Sequence, residues 1–257
     1  MVGSVAAVGG VLDAGEGLSH GAAGVAFLVW NTMLVVVAVA GGTALARRHP
    51  QPAAERMALP ARADRVEIGL AGATIVVNTA VTWLGWWLWR DGTIDVSGTI
   101  DGTSAIELVV LVLVMDLALY LGHRAAHHAA VYPLVHRLHH RFVEPRPLTL
   151  FALHPVETAA FGALWIVTLT LWDLPFAVVV TYGAVNLIFG TLGHLGIEPL
   201  PLAVRRRWLF RWLATPTFHE GHHLRPDTNL GFYTTIWDRL GGTLDPAYEL
   251  LHTAVSV

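Results

Sequence analysis

The chain has 257 residues, of which 54 % are hydrophobic and only 14 % charged; the formal net charge is −3 and the mean hydropathy +0.54. A soluble domain carries about 25 % charged residues, so this is the composition of a membrane protein. The absence of cysteine excludes a disulfide framework, a thiolate-ligated haem, the usual iron–sulfur clusters and a thiol nucleophile, and no basic patch interleaved with aromatics points to nucleic acid.

A spanning helix needs about 20 mostly apolar residues. No Arg or Lys occurs in the first twenty residues, so a cleavable signal peptide is not expected. The first expected span is Ala22–Ala46, which ends at Arg47 and Arg48. A Pro/Ala/Arg-rich connector, Arg47–Arg65, leads to a second span, Ile68–Trp89, which ends in an aromatic run of Trp83, Trp86, Trp87 and Trp89. Such a run suits a membrane interface. Asp91–Thr103 reads as a Gly/Thr/Asp loop. Ile106–Leu121 is a shorter span that runs into His123. Val156–Trp172 and Phe176–Leu195 follow, separated by Asp173-Leu174-Pro175, which reads as the turn of a hairpin.

Arginine counts orient these spans. With Ala22 outside, Arg47–Arg65 carries five Arg inside, Arg90–Thr103 one outside, His123–Pro155 four inside and Gly196–Val257 six inside. Fifteen against one is a strong positive-inside bias. It places every histidine group on one side, the cytoplasmic one. The expected fold is all-α: an integral-membrane helical bundle of about 4–5 spanning or half-inserted helices, with a cytoplasmic histidine-rich metal-binding cap. Residues 1–103 supply N-terminal helices and the connector, and residues 104–257 the histidine-bearing region, which is expected to be one structural unit.

Eleven of the fourteen histidines fall between His123 and His223. Three groups stand out: His123, His127 and His128; His136, His139 and His140; His219, His222 and His223. On a helix, positions i, i+3 and i+4 share a face, so the pair His123/His127, the His136–His140 trio and the His219–His223 trio are each expected to present two or three imidazoles to one point. His154 and His194 stand between the groups. Imidazole suits iron, zinc and copper, and one ion takes three or four protein ligands. Ten candidates, His123, His127, His136, His139, His140, His154, His194, His219, His222 and His223, are too many for one ion and about right for two. His128 points about 100° away from the His123–His127 stripe and is left out. A basic surface for lipid headgroups would be better made of arginine, because imidazole is mostly neutral at pH 7.

Four further residues qualify as partners of the ligands. Asp116 shares a stripe with Tyr120, His123 and His127, and an ionisable residue inside an apolar span is a functional hypothesis by default. It is expected to accept from a ligand histidine. Glu157 opens the fourth span in His154-Pro155-Val156-Glu157, where His154 also qualifies as a cap residue beside a proline at the first helical position. Asn229 in Asn229-Leu230-Gly231 suits a metal-bound water or a helix cap. Asp238 in Trp237-Asp238-Arg239-Leu240 suits orientation of a ligand. Ordinary turn chemistry is the competing reading for these last two.

The order His-x3-His, His-x2-His-His, His-Pro-x-Glu, Gly-His, His-x2-His-His, Asn-x-Gly and Trp-Asp-Arg-Leu resembles the fatty acid hydroxylase superfamily, also called the sterol desaturase family, over roughly residues 104 to 243. One departure is Gly241-Gly242-Thr243, where many members have Phe before Gly-Thr. The resemblance maps the family's eight-histidine set onto His123, His127, His136, His139, His140, His219, His222 and His223. It implies a membrane non-haem di-iron oxygenase: two Fe ions, with Zn possible as purified, and O2 as co-substrate, hydroxylating or desaturating a lipid-like substrate. Fatty acyl chains, sterols, carotenoids and alkylglycerols all fit, entering from the bilayer. No haem or flavin domain is evident, so electrons are expected from a separate ferredoxin, cytochrome or reductase. Arg205, Arg206, Arg207 and Arg211 could dock an acidic donor or act as positive-inside anchors.

Two other classes compete. His219-Glu220-Gly221-His222-His223 also satisfies H-E-x-x-H, a zinc metalloprotease motif with Glu220 as general base, but that reading leaves the His136 trio unexplained. A non-enzymatic metal-binding or transport protein predicts ionisable residues distributed through the spans, and the expected spans are nearly clean apart from Asp116.

Overall fold

The computed structural model describes residues 10–49 and 63–253. Most of the Arg47–Arg65 connector, and with it Arg56 and Arg62, lies outside the described residues.

Five long helices form the body. They are α1 (His20–Arg48), α2 (Arg65–Arg90), α3 (Ser104–Ala126), α4 (Pro155–Leu171) and α5 (Phe176–Gly193). All but α4 are long and apolar enough to cross a membrane; α4 is apolar but shorter. Their outer faces explain why. Val37 is 62 % exposed and Leu171 81 %, and Val25, Val36, Val76 and Ile106 are similarly bare. Exposed aliphatic surface on this scale is not tolerated by a soluble monomer, whereas hydrocarbon tails solvate it at no cost. The inner faces are small and close-packed, with Ala38, Ala71 and Leu111 buried.

Local signals start and stop these helices. Ser19 caps α1 by accepting from the amide of Ala22, and Asp64 caps α2 by accepting from Val66. Such caps contribute about 1 kcal/mol each. Arg47 and Arg48 close α1, where the helix dipole favours cations. At the far end of α2, Trp83 donates to the carbonyl of His20 and Trp86 to that of Gly15.

The segment between α4 and α5 is not a simple hairpin turn. Leu174–Pro175 (β2) pairs in parallel with Val96–Ser97 (β1), with Val96 opposite Leu174. The loop after α2 is thereby tied to the α4–α5 junction.

At the other end, residues 127–141 form consecutive turns rather than a regular helix. After α5 come α6 (Leu202–Arg205), α7 (Pro216–Leu224), α8 (Ile236–Gly241) and α9 (Pro246–Thr253). This turn-rich layer is a cap on the bundle. Glu67, in the first turn of α2 and fully buried, anchors it. Glu67 pairs with Arg146 and accepts from the Thr149 hydroxyl at 2.9 Å. The exposed Asp64–Arg141 pair at 2.9 Å lies beside it and is worth at most about 1 kcal/mol.

Candidate metal centre

Nine of the ten candidate histidines gather in two adjoining groups. His123, His127, His136, His140 and His222 place one ring nitrogen each within 4.8 Å of one another, and so do His139, His194, His219 and His223. The tenth, His154, is in neither group. It is the N-cap of α4, its Nδ1 accepting from the Val156 amide at 3.2 Å. His128 is exposed, its Nδ1 accepting from Ala130.

The trios do not each aim at one point, as their spacing suggests. Each splits: the i and i+4 members stay together, and the i+3 member goes to the other group. The geometry explains this. On α7, at 100° per residue, i+4 lies about 40° to one side of i and i+3 about 60° to the other, so His222 diverges from His223. The turns at 136–140, where the amides of His139 and His140 both donate to the His136 carbonyl, separate His139 from His140 in the same way, and each trio reaches both groups. Their rings are close enough to share one wall, with His140 and His223 centroids 4.8 Å apart.

Hydrogen bonds from the rear of the rings fix which nitrogen faces inward. His123 Nδ1 lies 2.8 Å from the carbonyl of Leu230, His222 Nδ1 2.8 Å from that of Thr228, and His194 Nδ1 2.8 Å from that of Gly190. A carbonyl only accepts, so Nδ1 carries the proton in all three and Nε2 offers its lone pair. His136 donates in the same way to Glu157 Oε1 at 2.6 Å. His123 Nε2 and His136 Nε2 then stand 3.1 Å apart with no proton between them. Facing lone pairs repel unless a cation lies among them. His127 Nε2 is buried without a hydrogen-bond partner, as a metal ligand would be.

Burial keeps the imidazoles neutral. It holds His139, His219, His222 and His223 well below the usual histidine range, and neighbouring imidazoles add to the effect. It also pushes His194 down to about 4 and His140 to about 3. Neutral rings are the ligating form. Nine nitrogen donors and no thiolate fit iron, zinc or copper, so the residues present fit a two-ion centre.

The remaining expected partners are placed as follows. Glu157, buried in the first turn of α4, meets His136. Asp116, 0 % exposed, meets no imidazole; it accepts from the amides of Tyr233 at 2.8 Å and Thr234 at 3.3 Å and from the Thr234 hydroxyl. Asp238 accepts from the amides of Leu230 and Gly231, both at 2.7 Å, and from the Thr243 hydroxyl. It thus holds the peptide whose carbonyl orients His123. Asn229 adopts φ 57, donates to the Phe218 carbonyl and accepts from the Asp245 amide. This left-handed position is one that asparagine tolerates well. A Cβ on Gly231 would collide with the Thr234 carbonyl and lie 2.7 Å from Asp238 Oδ2, so only glycine fits there. The loop 228–231 therefore presents two carbonyls, of Thr228 and Leu230, to two histidines of one group. Sequence reasoning missed these carbonyls, since every residue carries one.

The clusters form part of the wall of a cavity of about 440 Å³ inside the bundle. His123, His136, His139, His194 and His219 line one end, and Leu119, Phe161, Trp165, Val179 and Phe232 line much of the rest. That volume is in the range of small-molecule sites. Of the basic residues near the cap, Arg211 is engaged internally, pairing with Glu249 at 3.0 Å.

The model of the fatty acid hydroxylase domain matches residues 108–243, more than half of the chain and every histidine of both groups. The chain belongs to the fatty acid hydroxylase family. It is similar to the very-long-chain aldehyde decarbonylase of rice (Oryza sativa), with 29 % identity over 152 residues, covering 55 % of this chain and 24 % of the relative. It is also similar to the Delta(7)-sterol 5(6)-desaturase of Leptosphaeria maculans, with 29 % identity over 138 residues, covering 54 % of this chain and 36 % of the relative. The chain thus spans about a quarter to a third of the length of these curated relatives. No solved structure matches it.

Proposed function

We propose that this family member is a membrane non-haem di-iron oxygenase that uses O2 and external electrons to hydroxylate or desaturate a lipid-like substrate. The observation that carries the reading is the opening of two convergent groups of neutral imidazoles onto one largely apolar cavity within the bundle. When bound, two iron ions would supply the O2 activation that an unactivated C–H bond requires.

The side chains do the rest. The two groups of imidazoles would each hold one ion. Glu157 holds the His136 proton and keeps the ring turned inward, and Asp238 does so for His123 through the Leu230 peptide. Leu119, Phe161 and Val179 keep water out and hold the substrate chain against the histidine end. The relatives' names fit lipid substrates: one is called a decarbonylase of very-long-chain aldehydes, the other a sterol desaturase. The electrons would come from a donor such as a ferredoxin, a cytochrome or a reductase. The arginine bias supports a cytoplasmic position for the histidine end.

A protease reading is not favoured. His219 and His223 are joined in one group by His139 and His194, and five more imidazoles stand beside them. A carrier reading is not favoured either: Glu67 is paired with Arg146 and Asp116 is saturated by the 233–234 loop.

The test is lipid mass spectrometry of cells with and without the protein. A gain of one oxygen identifies hydroxylation and a loss of two hydrogens desaturation. An unchanged lipid profile, together with no O2 uptake by the reduced, iron-loaded protein, overturns the proposal.

A further inference from the structure

The cavity is not uniformly apolar. Tyr182 and Asn186, one turn apart on α5, line it well away from the histidine end. Tyr182 precedes His194 by twelve residues, about 18 Å along a helix axis. The Tyr182 ring is 3 % exposed and stacks on Trp165 with centroids 4.8 Å apart. Behind it lies Tyr233, which Asp116 fixes through the backbone amide.

The hydrogen bonds here leave one proton over. The Asn186 amide donates to Tyr233 Oη at 2.8 Å and to Tyr182 Oη at 3.3 Å, and Tyr233 donates to Tyr182 at 2.9 Å. Two hydroxyls and one amide carry four donor hydrogens, and three are used. The Tyr182 proton and the Asn186 carbonyl oxygen have no partner among the described residues. Turning the amide over exchanges the roles but still leaves a donor unused. On α2, across the cavity, the Asn78 amide also bonds none of the described residues. Polar groups left without partners in an apolar site are costly unless a ligand completes them.

We propose that Tyr182 and Asn186 form a subsite for a hydroxyl or carbonyl oxygen of the substrate. The lipid this cavity takes then carries an oxygen function remote from the carbon that reacts. A bare hydrocarbon, or an acyl chain that enters by its methyl end, leaves the subsite unsatisfied. This rests on the reading of the cavity as the substrate site of the proposed oxygenase.

The test uses the full chain in nanodiscs of saturated phosphatidylcholine, loaded separately with octadecan-1-ol or octadecane. Retained probe is quantified by gas chromatography and referenced to empty discs. Two recovered hydrogen bonds correspond to about tenfold preferential retention of the alcohol. The double variant Tyr182→Phe/Asn186→Leu brings the alcohol down to parity while alkane retention is unchanged. Tyr182→Phe alone, the milder change should the double variant fail to fold, lowers the preference by about threefold to fivefold. Equal retention in the wild type, or a preference that survives both variants, overturns the subsite. No turnover is needed, so the two readings fail separately. Alcohol preference without O2 uptake in the iron-loaded chain sinks the oxygenase and leaves the subsite. O2-dependent oxidation of octadecane as efficient as that of the alcohol does the reverse.

Discussion

The bundle and its cap are held by different forces. On the lipid face of the bundle, side chains such as Val36, Val37 and Leu171 touch little protein, and any aliphatic group of similar size serves there. In the cap, His222, Asn229 and Asp238 are fully buried, and each makes a bond that a different side chain cannot make. The bundle therefore needs hydrophobicity and length, whereas the cap needs particular atoms at particular places. The cap is also where the chain departs from regular helix, and its polar groups must be satisfied one by one.

The largest effect on stability is expected where the two regions join. Glu67→Ala removes the fully buried carboxylate that pairs with Arg146 and accepts from the Thr149 hydroxyl, and breaking such a pair costs about 3–5 kcal/mol. Thermal unfolding in detergent should show the loss, with the cap opening before the helices. A melting point equal to the wild type would mean that the cap does not depend on this anchor.

Within the cap, Asp238→Ala leaves the amides of Leu230 and Gly231 unpaired, at about 1–3 kcal/mol each. It also frees the carbonyl that orients His123. Reduced stability and reduced metal retention are expected together, the first by thermal unfolding and the second by elemental analysis. Loss of stability with full metal retention would confine Asp238 to the loop.

Glu157→Gln is a finer probe. It keeps an acceptor near His136 and removes the charge. Metal affinity should fall about 10–100-fold, the usual cost of losing such a partner, with little change in melting point. Competition with a chelator measures it, and unchanged affinity would show that the carboxylate does not tune the ring.

The smallest effect is expected on the lipid face. Val37→Leu should stay within about 0.5 kcal/mol of the wild type and leave metal content unaltered. A large loss would show that this face packs against protein rather than lipid.

The same division decides what the sequence reveals. Five apolar segments are legible because span length and hydrophobicity are local properties. The gathering of the histidines is legible from spacing and from the arginine bias, which puts them on one side. The partition of each trio between two groups is not, since it depends on where the other segments stand. His154 illustrates a local signal read two ways, and in the structure it caps α4 before Pro155. Asp116 lies on the His123 stripe, which suggests a place beside an imidazole, but the 233–234 loop, more than a hundred residues on, occupies its carboxylate. Backbone carbonyls such as those of Leu230, Thr228 and Gly190 carry no sequence signature. Glu67 carries no local signal either: it sits one residue before the apolar run, and its partner Arg146 is 79 positions away.

The central claim is that the two histidine groups hold two ions. Elemental analysis of the purified full chain, expressed with iron, tests it most directly when His194→Ala is measured alongside. His194 belongs to one group alone. The account predicts two metal ions per wild-type chain, and in the variant the selective weakening of one while the other stays bound. A single ion per wild-type chain, or none, would contradict it, as would the loss of both ions together in a variant that keeps its fold.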